Sequence, residues 1–252
     1  VKAFICTRDL KDEEYVNSHY VIMATKMGVV KKTPLEQYSR PRQNGIIAIN
    51  IREGDELLEA KLTTGSSQIF LGLKSGKAIR FEESKTRPMG RTASGVRGIT
   101  LAGDTDEVIG MVSVHNFDED ILVVSENGYG KRSSIEDYRL TNRGGKGVKT
   151  ISITDKTGGL VAIKNVSDLD DLMIINKSGI AIRMSVEDLR TMGRATQGVK
   201  LINLRENDSI AAVAKVMKDE DDLDETDILN MDVETEDGTS LDKDNPNPSS
   251  DS

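Results

Sequence analysis

Lysine and arginine recur in this chain at matched positions, and that recurrence is its best candidate for chemistry. Four residues after each of the glycines Gly28, Gly76, Gly128 and Gly179 stands a base: Lys32, Arg80, Arg132 and Arg183. More bases follow in every copy. The first adds Lys31, Arg40 and Arg42, and the second Lys77, Arg87, Arg91 and Arg97. The third adds Lys131, Arg139, Arg143, Lys146 and Lys149, and the fourth Arg190, Arg194 and Lys200. The chemistry is anion binding. A DNA duplex is a line of phosphates, one charge per ~1.7 Å of axis. One basic loop per copy gives a band that can follow such a line through many weak contacts, fixing its path rather than reading its sequence. All of these residues are candidate duplex contacts.

Other chemistries fail on residue type or spacing. The few aromatic residues among the bases argue against a stacking platform for single strands. Gly128-Tyr-Gly-Lys-Arg132 lacks the glycine spacing of a phosphate loop and has Arg132 where Ser or Thr should meet magnesium. Asp219-Glu-Asp-Asp222 lacks the glycine and spacing of a calcium loop. His19 and His115 lie far apart, and Cys6 is the only cysteine, so no zinc spacing and no internal disulfide exist. The expectation is therefore no catalytic residue, no metal ligand and no cofactor within this chain. A lone thiol fits a reducing cytoplasm, and no apolar run approaches the ~20 residues of a membrane helix.

The elements that position the bases repeat as well. Four apolar runs, Tyr20–Gly28, Gln68–Gly76, Asp120–Gly128 and Asp171–Gly179, end at glycines 48, 52 and 51 residues apart. A second series, Gly45, Gly95, Gly147 and Gly198, is spaced 50, 52 and 51 and leads into short apolar segments such as Gly45-Ile-Ile-Ala-Ile and Gly198-Val-Lys-Leu-Ile. Each copy ends in another apolar segment, for example Val108–Val112 or Ile210–Val213. The first glycine of each copy suits a hairpin turn with positive φ. The leading runs are apolar without alternation, which requires cover on both faces. Four strands per ~50 residues predict an all-β, propeller-like array in which each blade is sandwiched by its neighbours. Four complete four-stranded blades are expected, at about 20–65, 67–115, 120–166 and 171–217. Residues 1–8 are expected to be the closing strand of a further, preceding blade.

Charge is segregated. The net charge of −8 hides a segment, Lys218–Ser252, with 14 acids and 2 bases, while 32 bases and 28 acids lie upstream. The composition of 218–252 predicts a disordered acidic tail that cannot bury enough apolar surface to offset its ordering entropy. Competition with nucleic acid for the basic body is one role open to it.

These repeats resemble the C-terminal domains of the bacterial DNA gyrase A proteins. The likeness runs through Ala24-Thr-Lys-Met-Gly-Val-Val-Lys-Lys-Thr33, Ser94-Gly-Val-Arg-Gly-Ile99, Glu126-Asn-Gly-Tyr-Gly-Lys-Arg132 and Thr196-Gln-Gly-Val199. The resemblance implies a β-pinwheel, a propeller relative whose neighbouring blades exchange strands, residing in the cytoplasm. It implies that the domain binds and wraps duplex DNA for ATP-dependent negative supercoiling by a type II topoisomerase. It implies as partners the N-terminal region of gyrase A and the gyrase B protein in an A2B2 holoenzyme, where ATP and magnesium are used. Two departures stand out. The family's basic box, Gln-Arg-Arg-Gly-Gly-Lys-Gly, has only a degenerate relative here, Thr141-Asn-Arg-Gly-Gly-Lys-Gly147. None of Tyr15, Tyr20, Tyr38, Tyr129 and Tyr138 matches the motif of the family's catalytic tyrosine. The alternatives are the equivalent domain of topoisomerase IV and a protein-interaction propeller.

Overall fold

Each leading apolar run folds with its glycine into a hairpin. The computed structural model describes residues 1–115 and 118–218. The first copy forms β1 (Tyr20–Thr25), β2 (Val29–Pro34) and β3 (Leu57–Thr63). The second forms β4 (Gln68–Leu73), β5 (Lys77–Glu82), β6 (Val96–Arg97) and β7 (Val108–Val114). The third forms β8 (Asp120–Ser125), β9 (Tyr129–Ser134), β10 (Leu140–Thr141), β11 (Val148–Lys149) and β12 (Leu160–Val166). The fourth forms β13 (Asp170–Asn176), β14 (Ala181–Ser185), β15 (Val199–Lys200) and β16 (Ile210–Met217).

The sheets mix strands from adjacent copies. Their orders are β3-β1-β2-β6, then β7-β4-β5 with both β10 and β11 on β5, then β12-β8-β9-β15, and β16-β13-β14. The outermost strand of each of the first three blades is thus donated by the following copy. It is donated in two pieces: a parallel contact at Pro88, Leu140–Thr141 or Thr191, and an antiparallel one at β6, β11 or β15. β3, β7, β12 and β16 form the opposite, inner edge and, together with residues 1–6, line a hollow of about 1120 Å³.

The second glycine series explains why the donated strands lie so close. Gly147 has φ +70°, and a Cβ there would stand 2.6 Å from the Ala78 carbonyl oxygen on the preceding blade. Gly95 and Gly198 press in the same way on Val30 and Gly130. At Gly45, the same place in the first copy, nothing lies within 4 Å of such a Cβ.

Three expectations need correction. The fourth blade has three strands rather than four, because the strand that would complete it belongs to a following copy, and none is present among the described residues. The segment after Gly45 forms no strand for the mirror-image reason: among the described residues there is no preceding blade for it to join. Residues 1–8 also form no strand. A strand needs a ladder partner, and this segment has none; instead Ile5 and Leu10 pack against the open face of the first blade, and Lys2 Nζ lies 2.7 Å from Glu56. A short helix, α1 (Glu13–Ser18), adds its buried Val16 to that cover, with the Asp12 side chain accepting from the Tyr15 N–H at its N-terminus. The acidic segment expected to be disordered lies, beyond Lys218, outside the described residues.

The core is layered between blades. Ile69, Leu71 and Leu73 face the first blade, with Ile22, Ala24 and Val30, while Phe70 faces the third with Ile121 and Val123. Leu122 and Val124 turn the other way, toward Leu172 and Ile174. Alternate residues of one strand therefore enter two different cores, which is why the sequence shows an unbroken apolar run.

Candidate nucleic-acid interface

The bases separate into three groups by their partners and exposure. The first group sits on the second strand of each hairpin, and in the first three copies it ties that hairpin to a neighbouring segment. Lys32 is buried, with Nζ 3.1 Å from Glu83, a carboxylate of the next blade, and 4.4 Å from the centre of the Tyr20 ring. Arg80 donates from Nη1 to the carbonyls of Ile135 (2.8 Å) and Tyr138 (2.9 Å), and from Nε to Gln68. Arg132 has 12% of its side chain exposed; it pairs with Asp168 and lies 3.6 Å from Asp120. Arg183 is more exposed, and its Nε bonds Asp171 at 2.5 Å.

Lys31 and Lys131 belong to the same strands but point to the other face, and both are buried. Lys131 Nζ donates to the carbonyls of Gly193 (2.6 Å) and Arg194 (2.5 Å). Lys31 Nζ donates to the Ala48 carbonyl (2.6 Å) and to that of Arg91. Desolvation, with Arg91 or Arg194 adding repulsion, pulls each ammonium down to about 8. A buried ammonium already bonded to two carbonyls and shielded from solvent is not available to a phosphate. Lys31, Lys32 and Lys131 are therefore structural ties and not open rim contacts, while Arg80 and Arg132 are tied but only partly buried.

The second group is a repeated clasp. Arg91 Nη1 donates to the Ile47 carbonyl at 2.8 Å, Arg143 Nη1 to the Arg97 carbonyl at 3.0 Å, and Arg194 Nη1 to the Lys149 carbonyl. Every acceptor is the residue two places after a glycine of the second series, in the preceding copy. Each arginine thus reaches back across a blade boundary. Arg143 and Arg194 also donate from Nε, to the carbonyls of Lys85 and Asp137.

The third group is exposed. It contains Arg40, Arg42, Arg87, Arg97, Arg139, Lys146, Lys149, Arg190 and Lys200, with Lys77 half-buried beside them. Arg97, Lys149 and Lys200 occupy one equivalent position on the outermost strands β6, β11 and β15, opposite Val29, Lys77 and Tyr129. Their strands alternate, so the valine before each base turns inward and the base turns out. In the first copy the same position is Ile47, which is 61% exposed. Arg87, Arg139 and Arg190 form a second equivalent set, just before or at the parallel contact.

Two basic hollows open on this outer side. One of about 170 Å³ lies between β10 and β11, lined by Arg80, Arg139, Asn142 and Lys146. Another of about 350 Å³ is lined by Lys156, Lys200 and Arg205, with Asp208 also on its wall and Lys156 Nζ 5.4 Å from the centre of the Tyr129 ring. Lys156 and Arg205 escaped the repeat-based reading. They sit nine and seven residues after Gly147 and Gly198, so no fourfold recurrence marks them.

Comparison with known proteins agrees with this architecture. The family model "DNA gyrase C-terminal domain, beta-propeller" matches residues 19–64, 74–115, 119–167 and 170–217. The DNA gyrase A protein of Staphylococcus aureus strain NCTC 8325 / PS 47 is 45% identical over 240 residues, covering 95% of this chain and 26% of that protein. The chain thus spans about a quarter of the length of such relatives. A solved C-terminal domain of DNA topoisomerase IV superposes with a TM-score of 0.76 at 25% identity, over 86% of this chain and 67% of that one. A solved DNA gyrase A C-terminal domain gives 0.71 at 25% identity, over 80% and 67%.

Proposed function

Because the chain belongs to the DNA gyrase C-terminal domain family, we propose that its outer rim binds duplex DNA and bends it around the blades. The observation that carries this reading is the exposed base at one equivalent position on three successive outer strands: Arg97, Lys149 and Lys200. Each base lies on a short strand paired with the preceding blade, so successive bases recur with the blade repeat. Cations at a fixed repeat suit a polymer of regularly spaced phosphates. Bending 20–30 base pairs costs about 1–6 kcal/mol, which contacts distributed over several blades offset together.

In the complete enzyme this domain supplies the path of the wrapped segment, in the cytoplasm. Strand breakage and ATP hydrolysis with magnesium fall to the N-terminal region of gyrase A and to the gyrase B protein, which together use the wrapped geometry for negative supercoiling. The equivalent role in topoisomerase IV is the second reading, favoured by the superposition on that enzyme's C-terminal domain. The 45% identity to a gyrase A protein supports the first. The test is duplex binding by this chain across a salt series. Affinity should fall linearly in log–log terms, with little preference between unrelated sequences; binding that ignores salt would remove the reading.

A further inference from the structure

The buried lysines and the back-reaching arginines meet at the same carbonyls, and that meeting gives them a joint role. Lys131 lies on β9 of the third blade. It holds the Gly193 and Arg194 carbonyls of the fourth copy, and Arg194 in turn holds the Lys149 carbonyl at the edge of the second blade. One relay therefore links the third copy to the fourth and back again, and ends on the backbone of an exposed rim base. The first blade repeats it: Lys31 holds the Arg91 carbonyl, and Arg91 holds Ile47, the residue equivalent to Lys149. Between these two junctions the lysine is replaced by Ile79, and the arginine clasp from Arg143 to Arg97 stands alone.

We propose that Lys131 with Arg194, and Lys31 with Arg91, are positioning residues that set the spacing and direction of successive basic outer strands. They act on DNA through that geometry, without touching phosphate. This deepens the duplex-binding reading and rests on it. The reason is mechanical. The outer strands β6, β11 and β15 are two residues long, with too few ladder bonds to fix their own direction. A charged donor bonded to a carbonyl makes a stronger and shorter tie than a neutral one, and each relay places such ties on both sides of the loop that leads into the next strand.

The test compares Lys131→Met and Arg194→Lys with Lys200→Ala in the complete chain. Arg194→Lys keeps the charge but loses the planar, two-armed reach, so it remains informative if Lys131→Met folds poorly. Two quantities are read: the slope of log affinity against log salt, and end-to-end energy transfer in a dye-labelled duplex at saturating protein. The expected pattern is a crossed one. The positioning variants keep the wild-type slope but lose energy transfer, since the duplex is less bent, and lose affinity by roughly 5–10-fold because a misaligned rim offsets less of the bending cost. Lys200→Ala lowers the slope by about 0.9 and keeps the bend. A slope reduced by about 0.9 in Lys131→Met would make Lys131 a phosphate contact and overturn the proposal. Unchanged slope and unchanged energy transfer in both positioning variants would reduce these residues to packing and overturn it equally. Absence of duplex binding by the unaltered chain would instead sink the DNA reading. Amide exchange then decides the clasp alone: faster exchange at Thr196 and Leu201 in Arg194→Lys supports it, and unchanged exchange contradicts it.

Discussion

Arg143 Nη1 donates to the Arg97 carbonyl at 3.0 Å, and Arg97 is itself an exposed base of the outer edge. A base that ties the fold is thus bonded to the backbone of a base that faces solvent. The same relation holds between Arg194 and Lys149. Removing the outer side chains leaves those carbonyls in place, so binding and folding can be tested separately.

The second glycine series should be costly to substitute only where a blade stands behind it. In Gly147→Ala the methyl group meets the Ala78 carbonyl at 2.6 Å, on a backbone with φ +70°. The strained φ alone costs about 1–2 kcal/mol, and relief of the clash adds about 1–3 kcal/mol. Gly45→Ala bears only the first cost, since nothing lies near that Cβ. Urea unfolding should rank Gly147→Ala clearly below Gly45→Ala; equal midpoints would deny the close approach.

The buried pair Lys32–Glu83 should couple the first two blades. Both side chains are almost fully buried, and Glu83 also accepts from the Thr63 hydroxyl at 2.7 Å. Lys32→Met leaves that carboxylate without its cation and should cost about 3–5 kcal/mol in unfolding free energy. The salt slope of duplex binding should not change. A loss below about 1 kcal/mol would mean that water or another group replaces the lysine.

Stability should depend on pH in the alkaline range. Lys31 and Lys131 have folded values of about 8, below their ordinary 10.5, because they are desolvated. Between those values the unfolded chain binds more protons than the folded one, so stability rises as pH increases through that window. Tyr138 acts in the opposite sense: burial pushes its hydroxyl up to about 12, so stability falls as pH passes its ordinary 10.0. Denaturation at a series of pH values should show a rise above pH 8 that turns over near pH 10. The double variant Lys31→Met, Lys131→Met should flatten the rise; a rise of unchanged size would show that other groups cause it.

The repeat, the hairpin glycines and the doubly covered first strands were all legible in the sequence, since periodicity reports which faces are buried. Phe70 and Leu71, adjacent in one apolar run, enter two different cores, as an unalternating strand between two blades must. The partition of the bases was not legible. Lys31 and Lys32 are neighbours that point to opposite faces, and both are buried. A fourfold recurrence selects positions the fold needs as readily as positions a ligand needs, so Lys32, Arg80 and Arg132 carried the same signal as Arg97, Lys149 and Lys200. What separates the two sets is the donated strand, whose partner lies in the preceding copy and leaves no local trace. The helix α1 was also missed, although Asp12 followed by Glu13 and Glu14 is a fair helix start; six residues between loops give too little periodicity to register.

The most direct measurement is the salt dependence of duplex affinity for the triple variant Arg97→Ala, Lys149→Ala, Lys200→Ala, beside the unaltered chain. Three lost phosphate contacts should lower the slope of log affinity against log salt by about 2–3, with the unfolding midpoint unchanged because the clasped carbonyls remain. A folded triple variant that keeps the full slope would contradict the outer strands as the duplex path.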